Sequence, residues 1–248
     1  MNTRIDPILI ATVCITTITR KDRLELFLAK LTNGRPVEYY AQHIKNLSIV
    51  APVQNKGIHN ILAICTGVEN LALWAPGLNF FGNPHSGRNL RRLTIKLEGC
   101  FGSPPNFYHP CFANLTHLHL YDEAEDLSTY PGWETLSSLT HLAFACAFPE
   151  ITMLLIQRLP AVRYVALGSY KGRKYADATV NNNPHIRAAW GVRVVFLGEI
   201  PEHDWERGAR GEDDFWDLVE QEVERRLEEG SVSESTYRVV ISSLRILT

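Results

Sequence analysis

A six-residue pattern, Φ-x-x-Φ-x-Φ with Φ apolar, recurs along the chain. It reads Ile44-Lys45-Asn46-Leu47-Ser48-Ile49, Val68-Glu69-Asn70-Leu71-Ala72-Leu73 and Leu90-Arg91-Arg92-Leu93-Thr94-Ile95. It continues as Leu115-Thr116-His117-Leu118-His119-Leu120, Leu139-Thr140-His141-Leu142-Ala143-Phe144 and Val162-Arg163-Tyr164-Val165-Ala166-Leu167. A diverged copy is Val192-Arg193-Val194-Val195-Phe196-Leu197, and a weak one is Ile10-Ala11-Thr12-Val13-Cys14-Ile15. Alternation at the end of each copy is the signature of a short strand with its apolar side chains turned inward.

Taken at the second apolar position (47, 71, 93, 118, 142, 165, 195), the steps are 24, 22, 25, 24, 23 and 30 residues. Apart from the last, they fall in the leucine-rich-repeat period of roughly 20–29 residues. The copies at 115 and 139 share Leu-Thr-His-Leu. Between copies, residues 23–31 (Leu24, Phe27, Leu28 and Leu31 at helical spacing), 58–65 and 151–159 predict helices, the last stopped by Pro160. Residues 78–86, rich in Gly, Asn and Pro, predict a loop. One repeat cannot bury its apolar face alone, so neighbours stack on a shared core. The predicted fold is α/β: a leucine-rich-repeat solenoid, or horseshoe, with parallel strands on its concave face. The alternative is a doubly wound α/β domain; the even period and the twin copies favour the solenoid. No regular Asn follows the third apolar position, so the turns are irregular.

Stacking in register places the intervening residues in columns about 4.8 Å apart on one outward face. The first column is Asn46, Asn70, Arg92, His117, His141 and Tyr164; the second is Ser48, Ala72, Thr94, His119, Ala143 and Ala166. The third is Val50, Trp74, Lys96, Tyr121, Ala145 and Gly168. Aromatic and Arg side chains are enriched at binding hot spots. The candidate protein-binding set is therefore Asn70, Trp74, Arg92, Lys96, His117, His119, Tyr121, His141 and Tyr164. Three imidazoles can ligate zinc, which would suit a metal-dependent hydrolase. However, His117 and His119 stand about 6–7 Å apart along a strand, and the repeat places no carboxylate to orient them, so no metal or other cofactor is expected.

The remaining chemistry is sparse. His109-Pro110-Cys111 invites a Cys-His catalytic reading, but such pairs usually come from distant positions. There is no phosphate loop or nucleophile elbow. Asn46-Leu47-Ser48 and Asn114-Leu115-Thr116 match the glycosylation pattern, in or beside strands. The reading is not an enzyme. A net charge of −2 gives no basic excess for nucleic acid. The acidic patch Asp122, Glu123, Glu125 and Asp126, and a second zone over 212–229, read as solvated surface. Five cysteines without CxxC spacing argue for a reducing compartment, cytoplasmic or nuclear. Residues 7–18 are too short and too threonine-rich to span a membrane, and lack the flanks of a signal peptide.

After Leu197 the pattern changes. Residues 204–211 read as a polar linker, and 213–229 as an amphipathic helix. Its stripe is Phe215, Trp216, Leu218, Val219, Val223 and Leu227, and Gly230 follows as a C-cap. This helix is expected to cap the last repeats, with Trp205 and Trp216 as anchors; the rival role is docking into a partner. The expected organisation is a repeat domain over 1–200, linker and capping helix over 201–230, and a tail over 231–248.

The repeats at 44–49, 68–74, 90–97, 112–120 and 139–144, with Asp204-Trp205-Glu206 and Asp214-Phe215-Trp216, resemble the leucine-rich-repeat region of F-box-type proteins of mushroom-forming fungi, over about residues 8–230. In that family an F-box recruits a ubiquitin-ligase scaffold through a Skp1-type adaptor, and the repeats choose the substrate. Met1 to Asp6 leaves no room for an F-box ahead of the repeats. The resemblance therefore implies only the substrate-choosing half, with no adaptor binding and no catalytic residue. The leading functional expectation is a non-enzymatic protein-interaction module. The alternative is the substrate-recognition part of an SCF-type ubiquitin-ligase receptor that lacks its F-box.

Overall fold

The computed structural model describes residues 10–16, 22–51, 56–75, 87–97, 105–122, 127, 129–145, 149–168, 193–197, 200 and 204–228. The chain is an α/β protein whose strands pair all parallel and are flanked by helices. It divides into two compact units, Met1–Leu120 with Tyr130–Ser138, and Tyr121–Thr129 with Leu139–Thr248. The predicted loop at 78–86, the C-cap Gly230 and the tail over 231–248 lie outside the described residues.

In the first unit, β1 (Thr12–Thr16), β2 (Asn46–Val50), β3 (Asn70–Trp74), β4 (Arg92–Ile95) and β5 (His117–Leu120) pair in chain order. The register is the one the repeat predicts: Leu47, Leu71, Leu93 and Leu118 align, as do Ile49, Leu73, Ile95 and Leu120. All eight are buried. The weak first copy joins them, with Val13 opposite Leu47 and Ile15 opposite Ile49. A backbone device repeats with the strands. The carbonyls of Ala11, Lys45, Glu69 and Arg91 each accept two successive N–H groups of the next repeat, all at 2.8–3.0 Å. A carbonyl oxygen has two lone pairs, so one residue ahead of each strand fixes the entry of the following one.

Helices α1 (Arg23–Asn33) and α3 (Lys56–Ile64) form where the apolar spacing places them, burying Leu24 and Leu31, and Ile58, Ile61 and Leu62. Between them lies α2 (Val37–His43), too short for periodicity to reveal and begun by Pro36. Its buried Tyr40 ties down the end of α1: the hydroxyl donates to the Lys30 carbonyl and accepts from the Arg35 N–H, each at 3.0 Å. Ahead of β5 and after it, two short 3-10 turns, Pro110–Phe112 and Trp133–Thr135, take the place of helices. They carry an aromatic cluster, with Phe107 4.2 Å from Trp133 and 5.0 Å from Phe112 between ring centroids. Gly132 must be glycine here. Its φ is 91°, and a Cβ would sit 2.8 Å from the Tyr108 nitrogen.

The second unit holds β6 (His141–Phe144), β7 (Tyr164–Leu167) and β8 (Val194–Phe196), with α4 (Pro149–Arg158), α5 (Asp204–Ala209) and α6 (Phe215–Glu228). The last copy departs from the expected alignment by one residue. Val165 pairs with Val194 and Leu167 with Phe196, so Val195 falls opposite Ala166. A one-residue slip exchanges the faces of a strand. Val194 and Phe196 therefore take the inward places, and Val195 joins the opposite face.

Two expectations about the C-terminal region are corrected. The linker at 204–211 is largely the helix α5, because Asp204 is fully buried and its carboxylate accepts the Phe215 N–H at 2.5 Å. Asp214 accepts from Trp216 N–H, and Asp217 accepts from Asp214 N–H, at 2.8 and 2.7 Å. These bonds take up donors that a helix start otherwise leaves unpaired. The buried stripe of α6 is Phe215, Trp216, Val219, Val223 and Arg226, whereas Leu227 is 60% exposed. Arg226 follows Val219 and Val223 at helical spacing (i, i+4, i+7), and its guanidinium finds partners inside, so the charged residue takes the inward place and leucine the outward one. Trp216 anchors the helix as expected; Trp205 is half-buried. Among the described residues no helix is long and apolar enough to cross a membrane.

Candidate partner-binding face

In the first unit the predicted columns are in register: Asn46, Asn70, Arg92 and His117 align, beside Ser48, Ala72, Thr94 and His119. Their burial differs from the uniform exposure expected. Asn46, Arg92 and His117 are half-buried in the first column, and Asn70 is buried. The second column is sunk: Ser48 is half-buried, while Ala72, Thr94 and His119 are buried. In the third column Val50 and Trp74 are half-buried and Lys96 is exposed. For the three residues of β2–β4 the reason lies in side-chain length. Ser48, Ala72 and Thr94 are short, and on the same strands stand longer neighbours about 6–7 Å to either side. The sunk second column lies between the column of Asn46, Asn70, Arg92 and His117 and that of Val50, Trp74 and Lys96.

His119 is the clearest correction among the predicted contact residues, being 2% exposed. Burial pushes its pKa down to about 3, so the ring is neutral at pH 7. The unfolded chain takes up this proton near the ordinary value of about 6.5 and the folded one does not. Stability attributable to His119 is therefore complete above that value and falls as the pH drops toward 3, with a limiting slope of about 1.4 kcal/mol per pH unit. His109, lowered by its own burial, acts in the same direction. Urea midpoints between pH 7.5 and 4.5 should decline less steeply for His119→Gln than for the parent; equal slopes would contradict this.

The twin Leu-Thr-His-Leu copies are twins in geometry too. Thr116 Oγ1 lies 2.8 Å from His117 Nδ1, and Thr140 Oγ1 lies 2.8 Å from His141 Nδ1. Thr116 Oγ1 also donates to the Arg91 carbonyl, so its oxygen accepts from the His117 ring.

In the second unit the corresponding face is covered. Helix α6 packs on β7 and β8, and Phe215, Trp216, Val219 and Val223 form one core cluster with Ala143, Ala166, Val195 and Leu197. His141, expected to face a partner, is buried. It stacks on Tyr164 at 4.6 Å, meets Trp216 edge-on at 5.4 Å, and its Nε2 donates to Glu220 Oε1 at 2.9 Å. The Tyr164 hydroxyl reaches Glu224 at 3.5 Å. Burial, then the charges of Glu224 and Glu220, push its phenol pKa up. Two of the nine predicted contact residues, His141 and Tyr164, are thus engaged by the chain's own helix. Ala145 and Gly168 are buried, and Tyr121, in this unit, is half-buried. Sequence reading overlooked Glu220 and Glu224. The available signal was their i, i+4 spacing beside Trp216, Val219 and Val223.

The Cys-His reading loses its basis. His109 Nδ1 accepts the Cys111 backbone N–H at 3.2 Å, capping the 3-10 turn. The Cys111 thiol is buried, and burial pushes its pKa far up, against a smaller opposing effect of its backbone hydrogen bond. Cys65 is raised by burial to about 12. Neither sulfur carries the thiolate that nucleophilic chemistry needs. Of the acidic patch expected at the surface, Asp122 is buried. The sequon residue Asn46 lies in β2 and donates to Thr12 Oγ1 at 3.0 Å. No protein-family model matches the chain, and no curated protein matches it.

Proposed function

We propose that this chain is a leucine-rich-repeat solenoid that serves as a protein-interaction module, with the face of β2–β5 as its contact surface. The solenoid reading is supported by one strand per repeat in chain order, by intervals of 22–25 residues from β2 to β5, and by the recurring two-donor carbonyl before each of β1 to β4. The observation that carries the functional reading is the set of Trp74, Arg92, Lys96 and His117 on one face of neighbouring, in-register strands, none of them fully buried. Trp and Arg are among the residue types that most often dominate binding energy.

The test is affinity capture from the source cell with the full chain as bait, against a Trp74→Ala, Arg92→Ala, His117→Ala variant. These are half-buried positions, so the fold should persist, as thermal unfolding would verify. Capture of the partner should fall by at least about tenfold, since hot-spot truncations cost about 2 kcal/mol or more each. Undiminished capture by a folded triple variant would remove the face from consideration. The family resemblance adds that the partner is a protein presented to a ubiquitin ligase. Capture from the source cell that brings down neither a cullin nor a Skp1-type adaptor would exclude that alternative.

A further inference from the structure

We draw no further inference here: the strongest candidate, the side-chain cluster of His141, Tyr164, Glu220 and Glu224 beneath α6 in the second unit, belongs to the covered face already described, where the chain's own helix is the occupant.

Discussion

Trp216→Ala is expected to destabilise the protein by about 3–5 kcal/mol, the usual range for emptying a buried tryptophan site. Trp216 is 5% exposed, 4.4 Å from Phe215 and edge-on to His141 at 5.4 Å between ring centroids. The upper part of the range applies because of what lies beneath. The floor is Ala143, Ala166 and Val195, and side chains this short cannot swing in to fill the space. The cavity therefore persists, and cavity volume is what separates costly truncations from mild ones. The loss also reaches the face, since the His141 ring is held between Tyr164, Trp216 and Glu220. Urea unfolding gives the energy, and hydrogen exchange should show faster exchange in β7, β8 and α6. A change below about 1 kcal/mol would mean that α6 does not hold this face as described.

The second large effect concerns a charge held inside. Arg226 is 4% exposed; its Nη1 donates to the Val194 carbonyl and its Nε to Glu222 Oε1, both at 2.7 Å. Glu222 is also held by Arg225, with two bonds at 2.9 Å. Arg226→Met leaves the Val194 carbonyl and a nearly buried carboxylate short of donors, for an expected loss of about 3–5 kcal/mol. Removing both partners, Arg226→Met with Glu222→Leu, should recover most of it, because the desolvation of both ions disappears together. A double variant as unstable as the single would place the energy in the Val194 bond instead.

The pair also carries a pH signature. Burial alone raises the Glu222 pKa, but hydrogen bonds from Arg225 and Arg226, with their charges, overturn that and leave it below the ordinary value. Its contribution is thus complete above the ordinary carboxylate range, about 4.3, and is lost as the pH falls through the lower folded value. In Arg226→Met the burial effect gains weight, so the variant's deficit should shrink on acidification.

The strand positions in the first unit and their register were legible because both signals are local. Alternation along a strand decides which side chains can turn inward, and a near-constant interval decides which residues meet across strands. Leu47, Leu71, Leu93 and Leu118 align for that reason. Helices α1, α3 and α4 were legible for the same kind of reason, being long enough for the 3.6-residue period to appear. Where the interval stretched, before β8, the local signal admitted two registers, and packing chose Val194 and Phe196 for the interior.

Residue types and spacing alone also gave the candidate face, as rows of Asn, Arg, His, Trp and Lys beside rows of short side chains. The covering of its second-unit counterpart by α6 was decided only in three dimensions, because His141 and Glu220 are 79 residues apart and no periodicity spans such a distance. The exchange of Leu227 for Arg226 has the same origin: helical spacing made both positions eligible, and a backbone carbonyl waiting on β8 favoured the donor over the leucine. His119 lies inside for a neighbouring reason, since a strand pattern states which face a side chain takes but not how deeply it is buried there.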